Sequence, residues 1–357
     1  MSAALPAMAS TGPRLPRVLM VSDVAFPRVN GVSTSIATFR AALAGLGHET
    51  VVVGPAYGLG EAEEPGVLRV AGRRVPFDPE DRWVPAPRLL DAARGAGRFD
   101  LVHVQTPFSA HRAGVAFARE RGLPVVETYH THFERYFEHY APYLPAVAAR
   151  AFARGLARRQ GREVDLLIVP SSAMREVLAG YGVAAPIEVL PTGLPETALR
   201  AGDGARFRAA HGVAAGRPVL VHVGRLGVEK NVGFLLDALA RLRAQRPDVL
   251  LVLAGEGPAA PALARRIARE GLSDNVVRTG YLDREGALAD CYRAGDAFVF
   301  ASKTETQGLV LLEAMAQGVP VVALAELGTR DLLAAGRGAL VPREDAADFA
   351  AACARLL

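Results

Sequence analysis

The chain has 357 residues, half of them hydrophobic and 22% charged, which describes a globular protein and excludes a disordered one. That length is long for a single core, so two domains are expected. The net charge of +4, with arginine supplying nearly all of the cations, permits an anionic partner such as a nucleotide, a phosphate or a lipid head group and demonstrates none.

In chain order, residues 1–16 lack the charged start and apolar stretch of a secretory signal and read as a disordered leader. "RVLMVSD" (17–23) is a short apolar run ending in turn-like residues, as in a buried parallel strand. "TSIATFRAALAGLGH" (34–48) follows with helical spacing at Ile36, Phe39, Leu43 and Leu46, and Gly47 suits its end. Further strands are predicted at "ETVVVGP", "DLVHVQT", "LPVVETYH" and "DLLIVPS" (165–171), each separated by a helix-like stretch. A second series begins at "PVLVHVG" (218–224) and runs through "VLLVLAGEG", "VVRTGYL", "AFVFAS" and "VPVVAL". Strand–helix–strand repetition means a parallel sheet covered on both faces. The stretch between the series, 189–204, is rich in Pro, Thr and Gly, as a linker should be. The expected architecture is α/β: a Rossmann-like domain over 17–190, a linker at 191–204, and a second Rossmann-like domain over 205–357, facing each other across a cleft. Ligands of such sheets bind beyond the carboxyl ends of the strands. There is no run of 18 apolar residues, so no membrane span is expected. Cys291 and Cys353 are the only cysteines; they give no disulfide framework and no cysteine metal cluster, which suits a reducing cytoplasm.

Several stretches are candidates for chemistry. "HVGRLGVEKN" sets Gly224, Arg225 and Lys230 just after a strand and before a helix. Two cations beside a glycine turn and a helix start make a diphosphate site, because backbone N–H groups and the helix dipole add to the side-chain charge; the plainer reading is a solvated basic loop. "AGEGP" (254–258) is a second glycine turn, weak evidence by itself. "TETQGLVLLEAMAQG" (304–318) sets Glu305 after a strand, and the backbone from Thr306 through Gln307 and Gly308 to Leu309 can aim N–H groups at an anion. Glu313 sits among apolar neighbours, where a carboxylate is costly unless paired; it could accept both hydroxyls of a ribose. The plainer alternative is that Glu305 caps the helix and Glu313 pairs with an arginine. "TYHTHFERYFEHY" (128–140) holds His130, His132 and His139 with Glu134 and Glu138, a metal-site pattern that lacks further paired ligands elsewhere. "AVAARAFARGLARRQGR" (146–162) has five arginines and no acid. On a helix Arg150, Arg154 and Arg158 share one face, with Phe152 and Leu156 opposite. Packing on its domain explains such a helix; so does an anionic membrane surface, given the aromatic run before it, Tyr136 included. "FDPED" (77–81), in a proline-rich loop, is a poor Asp-x-Asp candidate.

"ETQGLVLLEA" resembles the Glu-x7-Glu motif of retaining glycosyltransferases of the GT-B fold, in family 4. "GRLGVEKN" resembles that family's donor-phosphate motif, and "FPRVNGVSTSI" (26–36) its N-terminal glycine loop. The resemblance runs from about Arg17 to the end of the chain, and it is closest to the diacylglycerol glucosyltransferases and GDP-mannose-dependent mannosyltransferases. It implies a nucleotide-sugar donor, a lipid or carbohydrate acceptor, no nucleic acid, no cofactor and no metal. In it, Glu305 contacts the donor hexose, Glu313 binds the ribose, Arg225 and Lys230 neutralise the diphosphate, Gly31 lets the first domain close on the phosphates, Tyr281 and Leu282 lie near the base, and His130 points at the reaction centre. Front-side attack with retention is the implied chemistry, and the implied location is cytoplasmic, peripheral to the inner face of the membrane. Family members usually continue past the point where this chain stops, with a last helix crossing back to the first domain. A nucleotide-sugar epimerase of the same fold, or a binder without transfer activity, is the alternative from another class.

Overall fold

The structure is a computed structural model that describes residues 14–58, 64–75, 78–132, 134, 145–284 and 286–357. It holds two parallel sheets. The first is built from β1 (Val18–Val21), β2 (Thr50–Ala56), β3 (Val67–Ala71), β6 (Leu101–Val104), β7 (Val125–Thr128), β8 (Leu166–Val169) and β9 (Ile187–Val189), in the order β3-β2-β1-β6-β7-β8-β9. The second is built from β10 (Val219–Val223), β11 (Leu250–Ala254), β12 (Val276–Gly280), β13 (Ala297–Phe300), β14 (Val321–Ala323) and β15 (Ala339–Leu340), in the order β12-β11-β10-β13-β14-β15. β1, β6, β10, β11, β13 and β14 are runs of Val, Leu, Met, Ala and Phe, with one histidine each in β6 and β10, buried almost throughout, as strands covered on both faces must be. Against one face of the second sheet pack Leu235, Leu236, Leu239 and Leu242 of the helix Val232–Arg243, together with Phe349 of the helix Ala346–Ala354. Against the other pack Cys291 and Tyr292 of the helix Ala287–Ala294 and Leu311 and Ala314 of the helix Leu309–Ala316.

β3, β9 and β15 lie at sheet edges and escaped sequence prediction because they are short or polar. "FDPED" corrects the expectation of a loop: β5 (Asp78–Trp83) is a strand, paired antiparallel with β4 (Arg73–Val75). Arg28 forms ion pairs with Glu80 and Asp81, so those carboxylates are held by a cation of the chain itself. The helix predicted at 34–48 spans Gly31–Gly45. It starts earlier because Asn30 and Ser33 cap it reciprocally: Ser33 N–H donates to Asn30 Oδ1 and Asn30 N–H to Ser33 Oγ, both at 3.0 Å, satisfying donors that the first turn leaves open.

By contact the chain divides into two compact units, Met1–Arg28 with Phe39–Val126, and Val29–Thr38 with Glu127–Leu357. The second unit contains the whole second sheet and every residue of the site described next.

Candidate active site

In the second sheet the chain order reverses between β10 and β13, with β11 on the other side of β10. A crevice opens at such a switch point beyond the strand ends. The residues singled out from sequence leave the sheet there: Gly224, Arg225 and Lys230 follow β10, and Glu305 follows β13.

Two glycine turns interlock to make the floor. Gly224 N–H donates to Ala254 O at 3.0 Å, Leu226 N–H to Glu256 O at 2.8 Å, and Ala259 N–H to Leu226 O at 2.8 Å. A Cβ on Gly255 would sit 2.0 Å from Gly224 O, and one on Gly257 2.6 Å from Leu226 O, so only glycine lets these peptide planes meet. "AGEGP", weak evidence as a motif, is thus half of the turn that carries Arg225. Val228–Lys230 then forms a single 3-10 turn ahead of the helix Val232–Arg243. Lys230 Nζ forms an ion pair with Glu305 Oε1, both side chains about four-fifths buried. The sequence holds one other lysine, Lys303; it pairs with Glu344.

The segment after Glu305 is fixed by hydrogen bonds that the sequence did not announce. Thr306 Oγ1 donates to His130 O at 2.8 Å. Gln307 spends its amide on the backbone of Thr192, accepting from N–H at 3.0 Å and donating to O at 2.7 Å. Thr192 Oγ1 in turn lies 2.8 Å from Ser35 Oγ, in the helix that Gly31 starts. Glu305, the main chain of His130, and the glycine-led helix are therefore one connected network, and the side chains of Thr306 and Gln307 hold it together. Gly308 ends the segment with φ of +94°, a left-handed conformation that favours glycine. The backbone of Gly328 approaches so closely that a Cβ there would lie 2.0 Å from Thr306 O.

Glu313 is 4% exposed. Its partners are Arg284, by an ion pair to Oε1, and Tyr292, whose hydroxyl donates to Oε2 at 2.7 Å. The arginine-pair alternative is thus what the structure contains, and it explains how a carboxylate survives among Leu311, Ala314 and their neighbours. Burial first, and the Glu313 carboxylate second, push the Tyr292 phenol well above its usual range. Tyr281 is largely exposed and Leu282 half-buried, on the loop that leads to Arg284.

The histidine cluster resolves differently. His132 Nε2 lies 3.2 Å from the Tyr181 hydroxyl, which donates to Glu134 Oε2 at 2.7 Å; Glu138, His139 and Tyr136 lie outside the described residues. Among the described residues no group of three or more His, Cys, Asp or Glu could hold a metal ion. Arg154 Nε stands 3.5 Å and Arg150 Nε 4.0 Å from Glu134, and Arg158 Nε donates to Tyr181 O at 2.5 Å. The helix Ala146–Gly161 buries Ala149, Ala153 and Ala157, the last two in a core with Tyr129 and Leu167. Phe152 is 60% exposed. Small residues let the helix backbone approach that core, which leaves Phe152 exposed on the flank opposite the arginines. Among the described residues, no helix is long and apolar enough to cross a membrane.

A family model described as Glycosyltransferase Family 4 matches residues 29–197, and one described as Glycosyl transferases group 1 matches 217–357. An alpha-monoglucosyldiacylglycerol synthase of Streptococcus pneumoniae is 32% identical over 320 residues, covering 86% of this chain and 70% of that protein. The chain belongs to glycosyltransferase family 4. It is a hexosyltransferase of that family. A GDP-mannose-dependent alpha-mannosyltransferase of Mycolicibacterium smegmatis is likewise 32% identical, over 91% of this chain and 84% of its own. Among solved structures, a sucrose-phosphate synthase of Thermosynechococcus elongatus superposes with a TM-score of 0.79 at 22% identity, covering 96% of this chain and 90% of that one. The Anabaena protein HepE, solved with UDP and glucose, superposes at 0.75 and 21% identity, over 96% and 89%. These likenesses establish the GT-B fold of the family-4 enzyme.

Proposed function

We propose that this family-4 enzyme moves a hexose from a nucleotide-sugar donor, of the UDP-glucose or GDP-mannose kind, to a hydroxyl of a membrane lipid such as diacylglycerol, with retention at the anomeric carbon. The observation that carries the donor half is the convergence of Arg225, Lys230 and Glu305 at the switch point of the second sheet, above two interlocked glycine turns. A departing diphosphate there meets two cations and a helix start, a preorganised electrostatic arrangement. Glu305 takes the hexose hydroxyls that its present partner, Lys230, does not offer, and Lys230 passes to the phosphates. His130, joined to Thr306 through its carbonyl, faces the reacting sugar. Glu313 holds the ribose once Arg284 yields its place. The acceptor hydroxyl attacks from the side the phosphate leaves, and the phosphate oxygen receives its proton; the protein supplies position and charge. We also retain the division at 191–204 between acceptor and donor domains; the two family models break a little later, between 197 and 217.

The lipid half rests on two relatives that carry the monoglucosyldiacylglycerol synthase name and on a helix that exposes Val147 and Phe152 together with Arg150 and Arg154. Incubation with UDP-glucose and GDP-mannose, each with and without diacylglycerol in anionic vesicles, tests both halves. Glycolipid formation from one donor supports the reading. A new sugar nucleotide made without acceptor would show an epimerase, and transfer only to water-soluble glycans would move the acceptor off the membrane.

A further inference from the structure

The stretch that supplies Arg225 and Lys230 contains another residue with chemistry, His222, which no motif explains. It is the fourth residue of β10 and fully buried. Its ring stacks on Phe300 at 5.7 Å between centroids and on Phe298 at 6.5 Å. Nδ1 lies 3.1 Å from Val299 O on the neighbouring strand. A carbonyl only accepts, so in the neutral ring Nδ1 carries the hydrogen and Nε2 is left with a lone pair. Burial holds the ring neutral, pushing its pKa down to about 4.

That lone pair is buried and has no hydrogen-bond partner. It lies directly under the glycine turn: a Cβ on Gly224 would be 3.8 Å from Nε2. The charges of Lys230 and Glu305 both act on the ring. An acceptor stripped of water and left unmet is destabilising. Phenylalanine would fill the same slot between Phe298 and Phe300 without that cost. The structure nevertheless carries an acceptor, fixed in direction by its other nitrogen, within electrostatic reach of Lys230.

We propose that His222 is a positioning residue of the donor site: Nε2 accepts a hydrogen bond from Lys230 Nζ when Glu305 turns to the donor sugar, and so holds the ammonium against the diphosphate. Lys230 has three N–H donors. In the present arrangement one goes to Glu305. Once Glu305 engages sugar hydroxyls, Lys230 needs a second anchor that does not neutralise it, and a neutral imidazole supplies one. His222 acts through Lys230 and does not touch the reacting atoms.

The inference rests on the donor-site reading above, and the test separates the two. UDP-glucose and GDP-mannose binding without acceptor is measured by calorimetry for wild type, His222→Phe, His222→Gln, Lys230→Ala and the double variant His222→Phe with Lys230→Ala, alongside thermal melts. His222→Phe removes an unmet buried acceptor together with the Nδ1–H donor to Val299 O, opposing effects that should leave the fold intact. Its sugar-nucleotide affinity should fall about tenfold, the range for a hydrogen bond to a charged group. His222→Gln, which restores an acceptor near the Nε2 position, should recover part of the affinity. In the Lys230→Ala background the His222→Phe change should have no further effect. Equal affinity of wild type and His222→Phe, or a loss that persists without Lys230, overturns the proposal. Should His222→Phe not fold, the 15N resonance of Nε2 in the wild type decides: it should move toward the hydrogen-bonded value on adding the sugar nucleotide, and an unmoved resonance refutes the bond. Failure of the wild type to bind either nucleotide would remove the donor site itself.

Discussion

Each sheet has a switch point, and the two are used in opposite ways. In the first sheet it falls between β1 and β6, where Asp23 and Thr106 leave the strands. Asp23 N–H donates to Thr106 Oγ1 at 2.7 Å, Thr106 Oγ1 donates back to Asp23 Oδ2 at 2.8 Å, and Ala110 N–H donates to Oδ1 at 3.2 Å at the start of the helix Ser109–Arg121. In the second sheet Glu305 holds the corresponding place after β13 and meets the mobile end of one lysine. Both residues are largely but not fully buried. Asp23 is tied to backbone and a short hydroxyl, partners that cannot leave, and serves the fold. Glu305 is tied to a four-carbon arm that can swing away, and is available to a ligand. On the proposed reading, the kind of partner, more than burial, separates the structural acid from the functional one.

The largest effect that sharpens this contrast is at Glu305. Glu305→Gln should cut transfer at least about a hundredfold, the cost of charged hydrogen bonds to the sugar, while UDP or GDP binding stays within about threefold. A parallel loss of nucleotide affinity would dissolve the distinction between hexose and phosphate roles. Arg225→Ala and Lys230→Ala should each lower kcat/KM about tenfold to a hundredfold with intact folding, read by steady-state kinetics at subsaturating donor. Unchanged turnover in both would take the glycine turn out of the site.

Glu313→Gln should weaken UDP or GDP binding about tenfold, with loss of a charged hydrogen bond; it should also lower stability by about 1–3 kcal/mol, since Arg284 and Tyr292 lose their anion. Destabilisation with unchanged affinity would leave Glu313 a purely structural acid, on the Asp23 side of the comparison.

Acid titration separates the two switch points further. Burial pushes His103, on β6, and His222, on β10, down to about 4. Their folded values lie below the unfolded 6.5, so the stability they contribute is complete above pH 6.5 and is lost as pH falls toward 4. Asp23 has the opposite sign. Burial, opposed by the hydrogen bonds from Thr106 and the helix start, raises it from 3.8 to about 6, so the folded state binds its proton more tightly and gains stability as pH falls through 6. Thermal melts from pH 7 to pH 4 should fall more steeply for Asp23→Asn than for wild type and less steeply for His103→Phe. The reverse order would reject the assignment. The smallest effect is at the membrane. Replacing Arg150, Arg154 and Arg158 by Gln should reduce co-sedimentation with anionic vesicles by about 1 kcal/mol per residue at most, with Glu134 and Tyr181 already engaging these side chains. Absence of wild-type sedimentation at low salt would assign the helix to packing alone.

Much of this was legible in sequence because it is local. Strands of unbroken Val and Leu, the glycine turn before Lys230 and the acid after "AFVFAS" each lie within a few residues, and the switch point then brings them together. What was not legible is long-range. Arg284 and Tyr292 reach Glu313 across 29 and 21 residues, and Gln307 reaches Thr192 across 115; no periodicity announces a partner at that distance. His222 was hidden differently. It stands inside a quoted motif, and only its ring geometry shows that one nitrogen is committed and the other is not.

The floor of the donor site has a consequence for how such a protein can change. At Gly255, Gly257 and Gly328 the neighbouring atoms are peptide groups at 2.0–2.6 Å from where a first side-chain carbon would begin. A peptide group has no rotamer with which to retreat, so even alanine at these positions forces the main chain apart. Drift by point mutation is therefore barred from these turns and channelled to exposed positions nearby in the chain, such as Val228 and Tyr281, exposed by 65% and 57%. On the proposed donor reading, a change of sugar nucleotide would come from such exposed residues, over a base that stays the same.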